Sequence, residues 1–154
     1  MFRNMLTASL VLLAPLSATA QELVYAEDPQ IIAALIEDNG FPAEITVDGV
    51  GDPMIMTSAN GYDFQIYFYD CIENADCQAL QFGAYFDMVD GMSLTRAQDF
   101  NKERRWVKVY LNDENDPIVE MDYNLRGGVT AENFNDTLEW WRITMGEFVT
   151  YINY

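Results

Sequence analysis

Along Asp63 to Tyr69 the chain alternates, with Phe64, Ile66 and Phe68 on one side and Gln65, Tyr67 and Tyr69 on the other. Ala79 to Phe86 repeats the pattern, with Leu80, Phe82, Ala84 and Phe86 on one side and Gln81, Gly83 and Tyr85 on the other. Period two with one apolar side predicts strands of an antiparallel sheet buried on one face. Before them, Glu44 to Asp48 and Met54 to Met56 read as shorter strands around the turn Gly49-Val50-Gly51-Asp52-Pro53, and Asn60-Gly61 is a hairpin dipeptide. After them, Trp106 to Leu111 and Ile118 to Leu125 read as a strand pair around the polar turn Asn112 to Pro117.

Three stretches carry helical spacing instead. Asp28 is placed to cap a first helix with Pro29 in its first turn, Ile31, Ile32, Leu35 and Ile36 form its stripe, and Gly40 ends it. Ser93 to Arg105 reads as a second helix, with Leu94, Ala97, Phe100 and Arg104 on one stripe. Thr130 can cap a third, in which Phe134, Leu138, Trp141, Met145, Phe148 and Ile152 recur at spacings of four and three. That seam runs along about five turns. The order is helix, four strands, helix, two strands, helix, which predicts an α+β fold: an antiparallel sheet packed by N-terminal, middle and C-terminal helices.

The first 20 residues belong to a different pattern. Arg3 precedes an apolar run from Met5 to Leu16, and Ala18-Thr19-Ala20 has the small residues of a cleavage site. This is the layout of a secretory signal peptide, too short to span a bilayer. The expectation is cleavage before Gln21, export to the periplasm, and one mature domain over 21–154 with no membrane span.

Charge narrows the partners. The chain has 25 acidic and 8 basic residues, a net charge of −17, and loss of Arg3 takes it to −18. Such a field repels nucleic acid, whose phosphates require Lys and Arg. With 50% hydrophobic residues the chain has material for a core and is not an acidic disordered tail. It has no histidine, which excludes Ser-His-Asp and Cys-His catalysis and removes the commonest transition-metal ligand.

Several stretches resemble the YbjN family, small bacterial proteins described as sensory-transduction regulators. Cys71 to Phe82 is similar to the cysteine-bracketed turn and "LQF" strand of secreted members. Phe100-Asn101 with Arg105-Trp106 resembles the family's "WN…RF" helix-to-strand junction, with Phe and Trp exchanged in size. Tyr110-Leu111, Asp116-Pro117, Glu120-Met121-Asp122 and Asn124-Leu125 resemble its "YLDEDGDPVLEMDVNL" hairpin, and Gly127-Gly128-Val129-Thr130 the start of its last helix. The resemblance runs from about Pro29 to Ile152. It implies a fold similar to type III secretion chaperones and a dimer that offers a groove to a partner protein; it carries no catalytic residues and no cofactor. The export signal departs from the cytosolic members.

Each chemical candidate competes with a structural role. Cys71 and Cys77 do not complete a zinc site and are not a C-x-x-C redox pair, so in an oxidising compartment a disulfide is expected. Asp113-Glu114-Asn115-Asp116 lacks the spacing of a calcium loop and reads as a solvated hairpin tip. Glu120 and Asp122 share a strand face, but no nucleophile or base stands beside them in the pattern, so no catalytic residue is assigned. Asn101 and Arg105, four apart on the predicted helix, together with Trp106 read as a structural junction, with a ligand clamp as the alternative. Trp140 and Trp141 cannot share one narrow helix face. If Trp141 packs on the sheet, Trp140 marks a flank suited to a protein partner or a second copy. The leading expectation is a non-enzymatic, chaperone-like binding module for a protein partner, with no cofactor and no metal. The alternative is a periplasmic sensor of a small molecule or cation, its pocket walled by Tyr62–Tyr69 and Leu80–Phe86.

Overall fold

The computed structural model describes residues 23–154, so the expected signal peptide lies outside the described residues. The elements in chain order are β1 (Leu23–Val24), α1 (Pro29–Asp38), β2 (Ala43–Val47), β3 (Pro53–Ala59), β4 (Tyr62–Tyr69), β5 (Ala79–Tyr85), α2 (Leu94–Glu103), β6 (Lys108–Leu111), β7 (Pro117–Asn124), β8 (Val129–Thr130) and α3 (Ala131–Ile152). Strands β2 to β7 form one antiparallel sheet in the order β2-β3-β4-β5-β7-β6, and the three helices make the fold α+β, as the periodicity predicts.

The caps fall where the sequence places them. Asp28 Oδ1 accepts from Gln30 N at 2.9 Å, Ser93 Oγ from Arg96 N at 3.3 Å, and Thr130 Oγ1 from Asn133 N at 3.1 Å. Each satisfies one of the N–H groups that a helix start leaves unpaired. Asn60 and Gly61 both hold positive φ, 55° and 86°, as a two-residue hairpin turn with matching twist demands.

Helix α3 crosses one face of the sheet. Its whole predicted seam, Phe134, Leu138, Trp141, Met145, Phe148 and Ile152, is buried. Trp141 sits against Phe64 and Phe82, ring centroids 5.6 and 5.7 Å away, and Phe148 packs edge-on against Phe100 of α2. Large aromatic surfaces removed from water supply most of the drive for this layer. The opposite face of the sheet carries Tyr67, Tyr69, Tyr85 and Tyr110, the last three exposed. Tyr67 lies over Gly83, where a Cβ would come within 3.2 Å of its ring.

Some boundaries differ from the periodic reading. The third element is longer than Met54–Met56, because Thr57 to Ala59 pair with β4 although their side chains give no apolar alternation. Ile31, on the predicted stripe of α1, is exposed because it stands one residue off the inward side, and Val47, at the end of a sheet-edge strand, is exposed as well. Leu94 is also exposed, at the first position of α2. The second helix stops at Glu103 and the next strand starts at Lys108, so Arg104 to Val107 form a connection instead of belonging to either. The pair β1–β8, with Leu23 opposite Thr130 and Val24 opposite Val129, has no counterpart in the sequence reading. It fixes the chain before α1 to the start of α3. Gly128 permits it: at φ 82° its missing Cβ would lie 2.8 Å from the Tyr25 ring.

Candidate functional site

The α2–β6 connection positions the candidate site. Asn101, in the last turn of α2, donates from Nδ2 to Val109 O at 2.9 Å and accepts at Oδ1 from Val109 N at 2.8 Å. This double bond pair holds the edge strand β6 against the helix end. Arg105 does not share a helix face with Asn101, because the helix has ended two residues earlier; Arg105 lies exposed on a bend. Arg104, not Arg105, makes the aromatic and acidic contacts at this corner. Its guanidinium lies 5.2 Å from the Phe100 ring centre and Nε 2.7 Å from Glu147 Oε2. The Nε contact is an ion pair without hydrogen-bond alignment.

Trp106 follows with φ 72° and is 71% exposed. A bulky residue in the left-handed region carries backbone strain of order 1–3 kcal/mol. Its ring projects beside Trp140 of α3, which is 49% exposed, whereas Trp141 is fully buried. The 100° step between successive helix positions separates the two indoles. Between Trp106 and Trp140 lies a groove of about 310 Å³ whose walls include Met121, Asp122 and Tyr123 of β7 and Asp136 of α3. A second groove continues past the same two tryptophans toward Arg104, Ile143 and Glu147. Tyr123 donates to Asn133 Oδ1 at 2.6 Å, and burial, with Asp136 adding its charge, pushes its phenol up from the ordinary tyrosine value.

The other candidates are placed as follows. The Sγ atoms of Cys71 and Cys77 are 2.12 Å apart, joined as a disulfide across the β4–β5 connection. Glu120 and Asp122 do share a face, and Lys108 Nζ stands between them, 3.0 Å from Glu120 and 3.4 Å from Asp122. Tyr110 donates to Glu120 at 2.6 Å and Gln81 to Asp122 at 2.6 Å, so both carboxylates already have partners. The Tyr110 phenol is pushed up to about 12 by burial and by its bond to Glu120.

The turn before β7 requires a correction. Asp116 is not at a solvated tip; it is 4% exposed and accepts from Met88 N at 2.8 Å and from Tyr85 Oη at 2.7 Å. A carboxylate with two such donors tolerates burial that a bare one does not. The strands considered as pocket walls, Tyr62–Tyr69 and Leu80–Phe86, enclose core on their inward side, where Trp141 fills the space over Phe64 and Phe82. Among the described residues no group of three or more Cys, Asp or Glu side chains converges for a metal, and no helix is long and apolar enough to cross a membrane. The disulfide is compatible with an exported protein.

The groove itself escaped the sequence reading. Trp140 was legible from its adjacency to Trp141, but Trp106 reads as the first residue of a strand, and only its left-handed backbone turns it out to face Trp140.

Comparison with known proteins gives one result. The family model described as "YbjN: Putative bacterial sensory transduction regulator" matches residues 28–153. No curated protein and no solved structure matches the chain.

Proposed function

The chain belongs to the YbjN family, and from that premise we propose that it is an exported, non-enzymatic binding module that holds a protein partner at the Trp106–Trp140 groove. The family description supports a regulatory or binding module in general. The observation that carries the finer reading is Trp106, held at φ 72° with its ring in solvent beside a second exposed indole. Water-exposed tryptophans around a groove are the residue type that dominates protein interfaces. Backbone strain spent on exposing one of them has no counterpart in core packing. Export is supported by the charged, apolar and small-residue pattern of residues 1–20 and by the disulfide.

The test is photocrosslinking in the native cell. Benzoylphenylalanine in place of Trp140 should yield a discrete adduct identified by mass spectrometry, absent when the probe replaces Glu37 on α1. An adduct between two copies of the chain would make the partner a second copy, and light scattering would then report a dimer. Adducts from position 37 but not from position 140 would remove the groove as the contact site.

A further inference from the structure

Strand β7 is only partly covered on its outer side. Leu125 N bonds Gln78 O at 3.0 Å and Phe86 N bonds Pro117 O at 3.2 Å. In an antiparallel ladder the bonding direction alternates residue by residue. The odd-numbered residues of β7 therefore bond β5, and Ile118, Glu120, Asp122 and Asn124 turn their N–H and C=O groups the other way. Strand β6 meets Ile118 through Tyr110 and Glu120 through Lys108, and there it ends. The position that would meet Asp122 is Trp106, whose φ of 72° takes the chain out of the ladder. Among the described residues, Asp122 thus presents an unpaired backbone donor and acceptor at the floor of the groove.

We propose that the groove binds its partner by strand addition: an extended segment continues β6 along the free edge of β7 at Asp122, and places a Lys or Arg side chain between Tyr123, Trp140 and Asp136. This rests on the protein-partner reading above and names the chemistry of that partner. Exposed strand edges are templates for an added strand, with the backbone supplying affinity and alternate side chains supplying choice. The inward side chains of such a segment face α3, where Trp140 and Asp136 stand one turn apart. An aliphatic stem over the indole with its cation at the carboxylate suits both surfaces. Asp136 takes part in no ion pair among the described residues. Asp122 is engaged by Lys108 and Gln81 on the outer face, so its backbone rather than its charge is what the groove offers. The net charge of −17 draws a basic segment from a distance.

The probe is a fluorescein-labelled hexapeptide of alternating lysine and threonine, titrated by anisotropy into the protein, with amide exchange followed by NMR. Expected are saturable binding, an Asp122 amide that exchanges at least about tenfold more slowly, about tenfold weaker binding for Trp140→Ala, and about two- to fivefold weaker binding for Asp136→Asn. The remote Asp38→Asn variant should bind as wild type, and a peptide N-methylated along its bonding edge should not bind. Equal weakening by Asp38→Asn, or undiminished binding of the methylated peptide, would show mere charge attraction and overturn strand addition. So would equal binding of a glutamate–threonine peptide, or no binding at all. The crosslink from position 140 is read separately: with it, a failed titration removes strand addition alone; without it, the partner reading goes too.

Discussion

The Tyr85 phenol donates to the Asp116 carboxylate across 2.7 Å, linking the outer end of β5 to the turn before β7. The Met88 N–H, and then this phenol, hold Asp116 below the usual carboxylate range, and the bond to Asp116 pushes Tyr85 up to about 12. Asp116 is more acidic folded than unfolded, so its contribution is present above the unfolded value of about 3.9 and is lost as pH falls through the lower folded value. Tyr85 holds its proton more tightly folded, so its contribution is complete below about 10 and is lost as pH rises toward about 12. The contribution of this pair to the melting temperature should therefore be flat between these limits and fall on both sides. Tyr85→Phe should lower the plateau and shallow the alkaline fall without abolishing it, because Tyr110 titrates near the same pH. An unchanged alkaline limb in Tyr85→Phe would refute the assignment.

Asn101 is the pin of the helix-to-strand corner. Asn101→Ala leaves both backbone groups of Val109, which is itself buried, without their partners. An unsatisfied buried group costs about 1–3 kcal/mol, so urea unfolding should show a loss of about 2–6 kcal/mol for the pair. Asn101→Asp keeps the acceptor for Val109 N but sets a carboxylate oxygen against Val109 O where the donor stood, and should also be less stable than wild type. A loss below about 0.5 kcal/mol in Asn101→Ala would place the corner's rigidity elsewhere.

The adjacent tryptophans should separate cleanly in stability. Trp141→Ala removes the centre of the aromatic layer and should cost about 3–5 kcal/mol, while Trp140→Ala should stay within about 0.5 kcal/mol. The Trp141 indole N–H is buried without a partner among the described residues. Trp141→Phe relieves that orphan donor as it opens a small void, and should cost well under half of the alanine loss. Denaturant midpoints of the three variants decide this.

What could be read from sequence follows from how many residues each feature uses. The strands around Phe64 and Phe82 alternate over seven or eight positions, and the α3 seam repeats along most of a 22-residue helix, so one buried face imprints itself on the chain. The β1–β8 pair has two residues a side, too few for any period. The burial of Asp116 escapes because its donors, Tyr85 and Met88, are about 30 residues away and polar turns read as solvent-facing. Trp140 could be found because two neighbours on a helix point 100° apart. The groove could not, because it exists where β6 stops short of Asp122, and that stop is a backbone angle at Trp106.

Reduction should weaken the protein. Closing the seven-residue loop from Cys71 to Cys77 contributes about 2.4 kcal/mol in the chain-entropy account, or about 6–10 °C for a domain of this size. Dithiothreitol, or the double variant Cys71→Ser and Cys77→Ser, should lower the melting temperature by that order. A thiol assay that finds two free cysteines in protein purified from the periplasm would contradict the exported, oxidised state.

Glycine normally destabilises relative to alanine by about 0.5–1 kcal/mol because its unfolded chain is freer. At position 106 the order should invert. Trp106 holds φ 72°, where alanine keeps the Cβ clash that costs about 1–2 kcal/mol and glycine has none. Because the indole is largely exposed, its loss costs little in either variant. Trp106→Gly should therefore be more stable than Trp106→Ala by about 1 kcal/mol in urea unfolding, and at least equal to wild type. Both variants remove the same wall of the groove, so both should lose the crosslink and peptide binding together. Stability and binding then move in opposite directions at one residue, as expected where strain serves an exposed contact rather than the core. If glycine proves less stable than alanine here, the left-handed turn at Trp106 is wrong, and with it the free edge at Asp122.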